Sequence, residues 1–156
     1  MERELLVRYL TQAHDLERDL QGLDRPDLIA FPVPGMMSIA QVAWHMIDTD
    51  LVLADRMRRV IAMDEPPIVA FDENRYTERL HYQDRDPISG CELFRLNRVT
   101  MSSLLQRLPP ETFARAGIHN EAGRITLADL LTKSITHFDH HRKFLHEKRA
   151  KLGKPV

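Results

Sequence analysis

The segment THFDHHRKFL, residues 136–145, places three histidines within five positions. If this segment is helical, successive side chains are rotated by about 100°, so His137 and His141 lie on adjacent turns of one face. His141 falls within the apolar arc of that face, His137 falls at its edge, and His140 points toward solvent. Two imidazoles at this spacing are a common pair of ligands for a divalent metal ion. The pattern therefore predicts a ligand pair, although a solvated helix face would account for the HxxxH spacing equally well.

His45, in the segment VAWHMID, is the candidate third ligand. It lies at the border of an apolar helical face, where a histidine held by a hydrogen bond is the commoner explanation. His45 lies about 10 Å from the start of its helix, and His137 about 16 Å from the start of the last helix. If those helices run parallel, His45, His137 and His141 lie at similar depth. Three histidines with an open coordination position suit a catalytic zinc, nickel or ferrous ion.

Four long helices are predicted to position these histidines, over residues 2–23, 38–63, 86–108 and 126–151. The second and fourth begin with capping-box patterns, SIAQ at Ser38 and TLAD at Thr126. The third begins with Asp86 as its N-cap and Pro87 in its first turn. Little β structure is expected, so this order predicts an all-α fold, a four-helix bundle.

The remaining segments are predicted to be irregular. Residues 24–35 hold three prolines and a glycine and are predicted to be loop. Residues 65–86 are predicted to hold a short helix within ENRYTERLHY and to form a lid or substrate wall through Tyr76 and Tyr82. One domain is expected over residues 1–156.

The composition is that of an ordinary globular protein, with 43% hydrophobic and 29% charged residues. The formal net charge of −1, with both signs interspersed, argues against a nucleic-acid partner. No apolar run approaches the roughly 18 residues of a membrane span, and the first ten residues lack signal-peptide features. Cys91 is the only cysteine, so no internal disulfide can form and a reducing cytoplasm is expected. The expected partner is therefore a small-molecule substrate.

The same residues carry a family resemblance. SIAQVAWHMID, GRITLADLLTKSITHFDHHRKFL and the LPPE that precedes the last helix resemble, in order and spacing, the DinB/YfiT-like family of bacterial metalloenzymes. The resemblance implies a four-helix bundle that holds a divalent metal on His45, His137 and His141, and it implies a homodimer. Some members of this family join a low-molecular-weight thiol to a small electrophile or use the thiol in an isomerisation, and others resemble metal-dependent hydrolases.

Thiol transfer is the leading hypothesis for the reaction. No protein nucleophile is evident beside the histidines, and Cys91 is expected to be a small buried residue. The metal would favour the thiolate of a thiol cofactor at neutral pH. The alternative enzyme is a hydrolase that uses metal-bound water. For that reaction Asp48, three residues after His45, is a candidate base or a hydrogen-bond acceptor for the His45 ring. Arg56 is a candidate contact for an anionic substrate, although a solvated charge is the simpler interpretation.

A non-catalytic bundle that binds a metal or a small molecule is the third possibility. A fourth protein ligand would close the coordination sphere and favour a structural metal. His14, His81 and His119 are the candidates, and His119 lies in a predicted loop just before the last helix. The catalytic residues, the metal and the substrate are not assigned by the sequence.

Overall fold

In the computed structural model, which describes residues 2–156, the chain folds as the predicted four-helix bundle with a small sheet at one end. The α-helices are α1 (Glu2–Thr11), α2 (Asp15–Leu20), α3 (Arg25–Ile29), α4 (Ile39–Ala62), α5 (Glu73–Arg79), α6 (Ile88–Leu105) and α7 (Leu127–Lys151), with 3₁₀ turns at Gln12–His14 and Pro110–Ala114. The strands are β1 (Pro67–Ile68), β2 (Ala116–His119) and β3 (Gly123–Thr126). No helix within residues 2–156 combines the length and the apolar character needed to cross a membrane.

The two helices that carry the histidines begin as predicted. The Ser38 hydroxyl accepts a hydrogen bond from the Gln41 backbone N–H at 3.2 Å, and the Gln41 side chain accepts one from the Ser38 N–H at 3.0 Å. Thr126 and Asp129 form the same reciprocal pair at the start of α7. Each capping box satisfies backbone donors that have no partner inside the helix.

The first and third bundle helices are shorter than predicted. Instead of one helix over residues 2–23, a 3₁₀ turn separates α1 from α2, and α2 ends at Leu20, just before Gly22 adopts a φ of 78°. The helix α6 begins at Ile88, one residue later than predicted, with Pro87 rather than Asp86 at the N-cap and Asp86 accepting a hydrogen bond from the Ile88 N–H. It ends at Leu105 rather than at residue 108, where a residue that precedes proline disfavours helix.

A short helix lies in the segment predicted to be loop. Asp24 caps α3 through a capping box with Asp27, and Pro26 lies in its first turn. Proline is compatible with the first helical turn because the backbone N–H that it lacks would have no intrahelical partner there. The density of prolines in residues 24–35 therefore did not exclude a helix.

The relative direction of α4 and α7 differs from the parallel arrangement that was assumed when the depths of His45 and His137 were compared. Both α1 and α4 pack against α6 and α7, so α1 and α4 occupy opposite corners of the bundle. His45 lies beside His141, whereas Asp50, further along α4, lies beside Ser134, so α4 and α7 run antiparallel. The assumption of parallel helices was therefore wrong. The rings still meet, because His45 lies in the first third of α4 and its partners lie in the middle of α7.

A three-stranded sheet covers the end of the bundle where α4 ends and α7 begins. The strand β1 pairs with β2 in parallel, and β2 pairs with β3 as an antiparallel hairpin. At Gly117 an added Cβ would lie 2.6 Å from the Ile68 side chain and 2.8 Å from the Pro66 carbonyl oxygen, so only glycine fits. The segment around His119, residues 116–124, was predicted to be loop, and strands of two to four residues are too short to reveal an alternating pattern.

A buried ionic cluster joins the four bundle helices close to the histidines. Asp50 of α4 is 3% exposed and Arg98 of α6 is 1% exposed. Arg98 donates to Asp50 at 3.0 Å, to Gln12 between α1 and α2 at 2.5 Å, and to the Ser134 carbonyl oxygen of α7 at 3.2 Å. Ser134 precedes His137 by three residues, so these contacts hold α4 and α7 at a defined separation beside the histidines.

Candidate metal centre

Three imidazole nitrogens converge between α4 and α7. The His45 Nε2 atom lies 3.0 Å from His137 Nε2 and 3.2 Å from His141 Nε2. One nitrogen from each ring lies within 4.8 Å of the other two. The His45 ring is 1% exposed, and the other two rings are half-buried. The structure thus brings together the three histidines that the sequence singled out.

Contacts on the far side of α7 set the rotation of this helix. Asp139 accepts hydrogen bonds from Gln12, at 2.8 Å, and from Arg8, so it faces α1 and points away from the histidines. Arg142 donates to Asp19 at 2.6 and 3.0 Å. Because these residues flank His141 in sequence, their contacts with the first bundle helix turn the His137 and His141 rings toward α4.

The three rings are neutral at physiological pH. Burial lowers the pKa of His45 to about 4 and that of His141 to about 4. Burial, followed by the proximity of the His141 and His45 rings, lowers the pKa of His137 to about 2. Neutral imidazoles have a free nitrogen lone pair, which is the form that binds a metal ion.

The geometry of the cluster fits a divalent cation. Two nitrogens bound tetrahedrally at about 2.0–2.1 Å from one zinc ion would lie roughly 3.3 Å apart, close to the observed 3.0 and 3.2 Å. Hydrogen bonding alone satisfies the cluster less well. A neutral imidazole nitrogen either donates through one N–H or accepts through one lone pair, so His45 Nε2 can make one well-directed hydrogen bond but not two. The donor set is therefore that of a metal site with three protein ligands.

The other candidate histidines lie outside this cluster. His140 is exposed and packs against the Phe144 ring. The Nδ1 atom of His119 accepts hydrogen bonds from two backbone N–H groups in the β2–β3 turn, at 3.2 Å each. His14 and His81 are exposed. Among the described residues, the metal-ligating cluster consists of His45, His137 and His141 alone, with no fourth histidine.

Glu73 is a site residue that the sequence reasoning missed. It is the first residue of α5, and its Oε2 atom lies 3.9 Å from His45 Nε2. This distance is too long for a hydrogen bond, and the side chain is 54% exposed. In the sequence, Asp72 is a residue type that favours a helix N-cap, which could have indicated that a helix begins at Glu73. Only the packing of α5 on α4 reveals that this helix start faces the histidines.

Asp48 does not make the predicted contact with His45. Its Oδ2 atom accepts a hydrogen bond from the Tyr82 hydroxyl at 2.6 Å and lies 4.0 Å from Arg85 Nη1. Within residues 2–156, the buried His45 Nδ1 atom has no hydrogen-bond partner. Asp48 and Tyr82 thus join the segment after α5 to α4, whereas Glu73 is the carboxylate nearer to the His45 ring nitrogen.

A cavity of about 610 Å³ runs along α4, beginning one turn after His45. Asp48 and Tyr76 lie three residues after His45 and Glu73 respectively, so α4 and α5 both lead from the histidine cluster to the cavity wall. The residues lining the cavity are Asp48, Leu51, Val52, Asp55, Arg56, Arg59, Pro67, Ile68, Val69, Ala70, Phe71, Tyr76 and Leu80. Residues 65–86 therefore form a cavity wall, in which Tyr76 takes part, whereas Tyr82 is buried behind it.

The small sheet holds this wall in position. The Asn120 backbone N–H, just after β2, donates to the Ile68 carbonyl oxygen at 3.0 Å. Its side-chain oxygen accepts a hydrogen bond from the Ala70 N–H at 2.8 Å. These contacts continue the β1–β2 pairing and present Val69 and Phe71 toward α4.

The cysteine and the tryptophan belong to the core. Cys91 is 5% exposed, and burial raises the pKa of its thiol to about 12. Trp44 is 5% exposed and lies in the same apolar cluster, with the Arg85 guanidinium 3.3 Å from its ring centroid. Cys91 is thus inert at neutral pH, and no thiol of this chain reaches the histidine cluster.

Comparisons with known proteins agree with this architecture. Two curated relatives from Oceanobacillus iheyensis are named "Putative metal-dependent hydrolase OB0413" and "Putative metal-dependent hydrolase OB0782". The first is 22% identical over 88% of this chain and 79% of its own length, and the second is 25% identical over 88% and 81%.

Two solved structures share the fold. YfiT from Bacillus subtilis, described as "a probable metal-dependent hydrolase with an unusual four-helix bundle topology", superposes with a TM-score of 0.90 at 20% identity, covering 97% of this chain and 87% of YfiT. A mycothiol-dependent maleylpyruvate isomerase superposes with a TM-score of 0.72 at 13% identity, covering 92% of this chain and 60% of the isomerase. The sequence matches the DinB superfamily over residues 8–145. With nearly the whole chain matched and the fold shared, this protein belongs to the DinB superfamily.

Proposed function

We propose that this chain is a metal-dependent enzyme that joins a low-molecular-weight thiol to a small electrophile. His45, His137 and His141 would hold the divalent ion, which by donor type is zinc, nickel or iron. The observation that carries the proposal is the convergence of three neutral imidazoles at a site where the chain supplies no nucleophile of its own. The curated relatives named as metal-dependent hydrolases and the mycothiol-dependent structural neighbour support metal chemistry on a small molecule.

The residues of the site have distinct roles in this proposal. When bound, the divalent ion would lower the pKa of a thiol or a water molecule in its open coordination position. Glu73 lies close enough to the cluster to accept the proton that the thiol loses, and its exposure allows that proton to pass to solvent. The sulfur then forms a bond to the electrophilic carbon, whose leaving group departs with the bonding electron pair. The cavity along α4 receives the parts of the substrates that do not react.

Hydrolysis is the second candidate function, and Glu73 is the observation that favours it. A carboxylate 3.9 Å from a ligand nitrogen is suitably located to act as a general base toward water. The names of the two curated relatives also favour it. The two reactions differ in their requirement for a thiol. A panel of activated esters and alkylating electrophiles, each assayed with and without several thiols, therefore separates them by mass spectrometry of the products.

Metal content is the first test of the proposal. The untagged wild-type protein, His141→Ala and His140→Ala would be compared by elemental mass spectrometry. His140→Ala is a matched control, since it removes an adjacent imidazole that is exposed and outside the cluster. Near-stoichiometric metal in the wild type and His140→Ala, and its loss in His141→Ala, supports the site. The absence of metal after incubation with zinc, nickel and ferrous ions would contradict it.

A loaded site without turnover would favour the non-catalytic alternative. If the metal-loaded protein leaves the whole electrophile panel unchanged with every thiol, a structural metal or a sensor becomes the better explanation. The homodimer and the cytoplasmic location stay predictions. Light scattering of the purified protein coupled to size-exclusion chromatography tests the homodimer.

A further inference from the structure

Arg56 is a half-buried cation in the wall of the cavity along α4. It lies on α4, and its Nη2 atom donates to the Val69 carbonyl oxygen at 2.6 Å. Its guanidinium carbon lies 5.9 Å from the centroid of the Phe71 ring. Within the described residues, no carboxylate forms an ion pair with Arg56. Burial lowers its pKa, and the nearby Asp55 carboxylate, which is paired with Arg59, partly offsets this effect. Arginine stays charged at neutral pH, and Arg56 lines the cavity with N–H donors beyond the one that Val69 accepts.

The acidic residues of the same cavity are already engaged. Asp55 accepts a hydrogen bond from Arg59 at 2.7 Å. Asp48 accepts one from the neutral Tyr82 hydroxyl at 2.6 Å and lies 4.0 Å from Arg85 Nη1, its cationic partner. Among the described residues, the charged side chain of the cavity wall that lacks an ion-pair partner is therefore Arg56. A carboxylate matches the planar guanidinium through two parallel hydrogen bonds.

The separation between Arg56 and the histidines sets the length of the ligand. Arg56 follows His45 by eleven residues on one helix, which corresponds to a rise of about 16 Å. The long arginine side chain leans toward the start of its helix and shortens the span. Between the two ends, Val52, Phe71 and Tyr76 contribute apolar wall. The cavity thus suits an elongated ligand with one reacting end, an apolar middle and one anionic end.

We propose that Arg56 binds the carboxylate of an elongated thiol whose sulfur lies at the three-histidine cluster. The inference rests on the proposed function for the location of the sulfur, and on the cavity alone for the location of the carboxylate. It identifies the co-substrate class as a low-molecular-weight thiol with a carboxylate remote from the sulfur. Arg56 is thereby assigned as a specificity-determining residue, whereas from the sequence a solvated charge was the simpler interpretation.

The test uses the full chain loaded with cobalt(II) and three small ligands. Mercaptooctanoate has both a thiol and a carboxylate, mercaptooctanol has the thiol only, and octanoate has the carboxylate only. The wild type, Arg56→Gln and Arg95→Gln are compared. Arg95 is the matched control, since it is a half-buried arginine of α6 that pairs with Glu92 and does not line the cavity. Calorimetry measures each Kd, and the sulfur-to-cobalt absorption band reports thiol coordination.

We expect mercaptooctanoate to bind the wild type and Arg95→Gln about tenfold more tightly than mercaptooctanol, from charge-assisted hydrogen bonds to Arg56. Arg56→Gln should abolish that difference and weaken octanoate to a similar extent, with the absorption band retained. If neither carboxylate binds more tightly to the wild type than to Arg56→Gln, the subsite is refuted. If the binding of the carboxylate ligands depends on Arg56 but no thiol produces the absorption band, the carboxylate subsite is supported and the thiol-dependent function is refuted.

Discussion

Replacing Asp50 by alanine should destabilise the bundle more than any exposed charge substitution. Asp50 accepts hydrogen bonds from Arg98 at 3.0 Å, from Asn97 at 2.8 Å and from Ser134 at 2.9 Å, and it is 3% exposed. The variant removes the acceptor of all three donors and leaves the Arg98 guanidinium, 1% exposed, without its counter-ion. An unpaired buried charge of this kind costs about 3–5 kcal/mol of unfolding free energy.

The assay is urea denaturation followed by far-UV circular dichroism, with chelator present so that metal binding makes no contribution. Glu92→Ala is the control, because it breaks the exposed ion pair with Arg95 and should leave the unfolding free energy nearly unchanged. The double variant Asp50→Leu/Arg98→Met removes both buried charges and should recover more than half of the loss, since apolar side chains of similar size often replace a buried ion pair at little cost.

Two results would refute this reasoning. If Asp50→Ala unfolds at the same urea concentration as Glu92→Ala, the buried cluster contributes little to stability. If the double variant is as unstable as Asp50→Ala, lost hydrogen bonds and packing determine the cost, and the unpaired Arg98 charge does not.

Four further outcomes are expected. Saturating zinc, at about 100 times its Kd, should stabilise the wild type by about 2.7 kcal/mol and raise its Tm, and His141→Ala should abolish this shift in a thermal melt. Glu73→Gln should retain metal by elemental analysis but lower kcat, and an unchanged kcat would exclude it as the proton acceptor. Gly117→Ala should lower the unfolding free energy by about 1–3 kcal/mol, because its Cβ would lie 2.8 Å from the Pro66 carbonyl oxygen. Ser38→Ala should lower the unfolding free energy by about 1 kcal/mol, because the variant loses the N-cap of α4. An unchanged urea midpoint for Gly117→Ala or Ser38→Ala would contradict the role given to that residue.

The features that were predictable from the sequence are local in the chain. Helical spacing of apolar residues and the capping boxes at Ser38 and Thr126 were sufficient to predict the starts of α4 and α7. The i and i+4 spacing of His137 and His141 was sufficient to place both rings on one face. Each of these signals involves residues within one or two turns of each other, where helix geometry alone relates the side chains.

The short strands were missed because their stability comes from distant partners. The strand β1 has two residues and exists because it pairs with β2, about fifty residues later in the chain. No strand exceeds four residues, so none has an internal pattern long enough to identify it. The helix α5 lies where a short helix was predicted within ENRYTERLHY, but only its packing on α4 places Glu73 beside His45.

The sequence by itself determined that His137 and His141 share one helix face and could bind a metal ion as a pair, since this follows from residue type and local geometry, and it offered His45 as a candidate third ligand. Tertiary structure alone decided that α4 and α7 run antiparallel and that their rings meet, because helix direction depends on how the connecting segments cross the bundle. It also decided that Glu73 approaches His45 while Asp48 turns to Tyr82, and that Arg56 faces a cavity without a counter-ion. These relations join residues far apart in the chain, and only the packing of α5 and of its flanking segments against α4 brings them together.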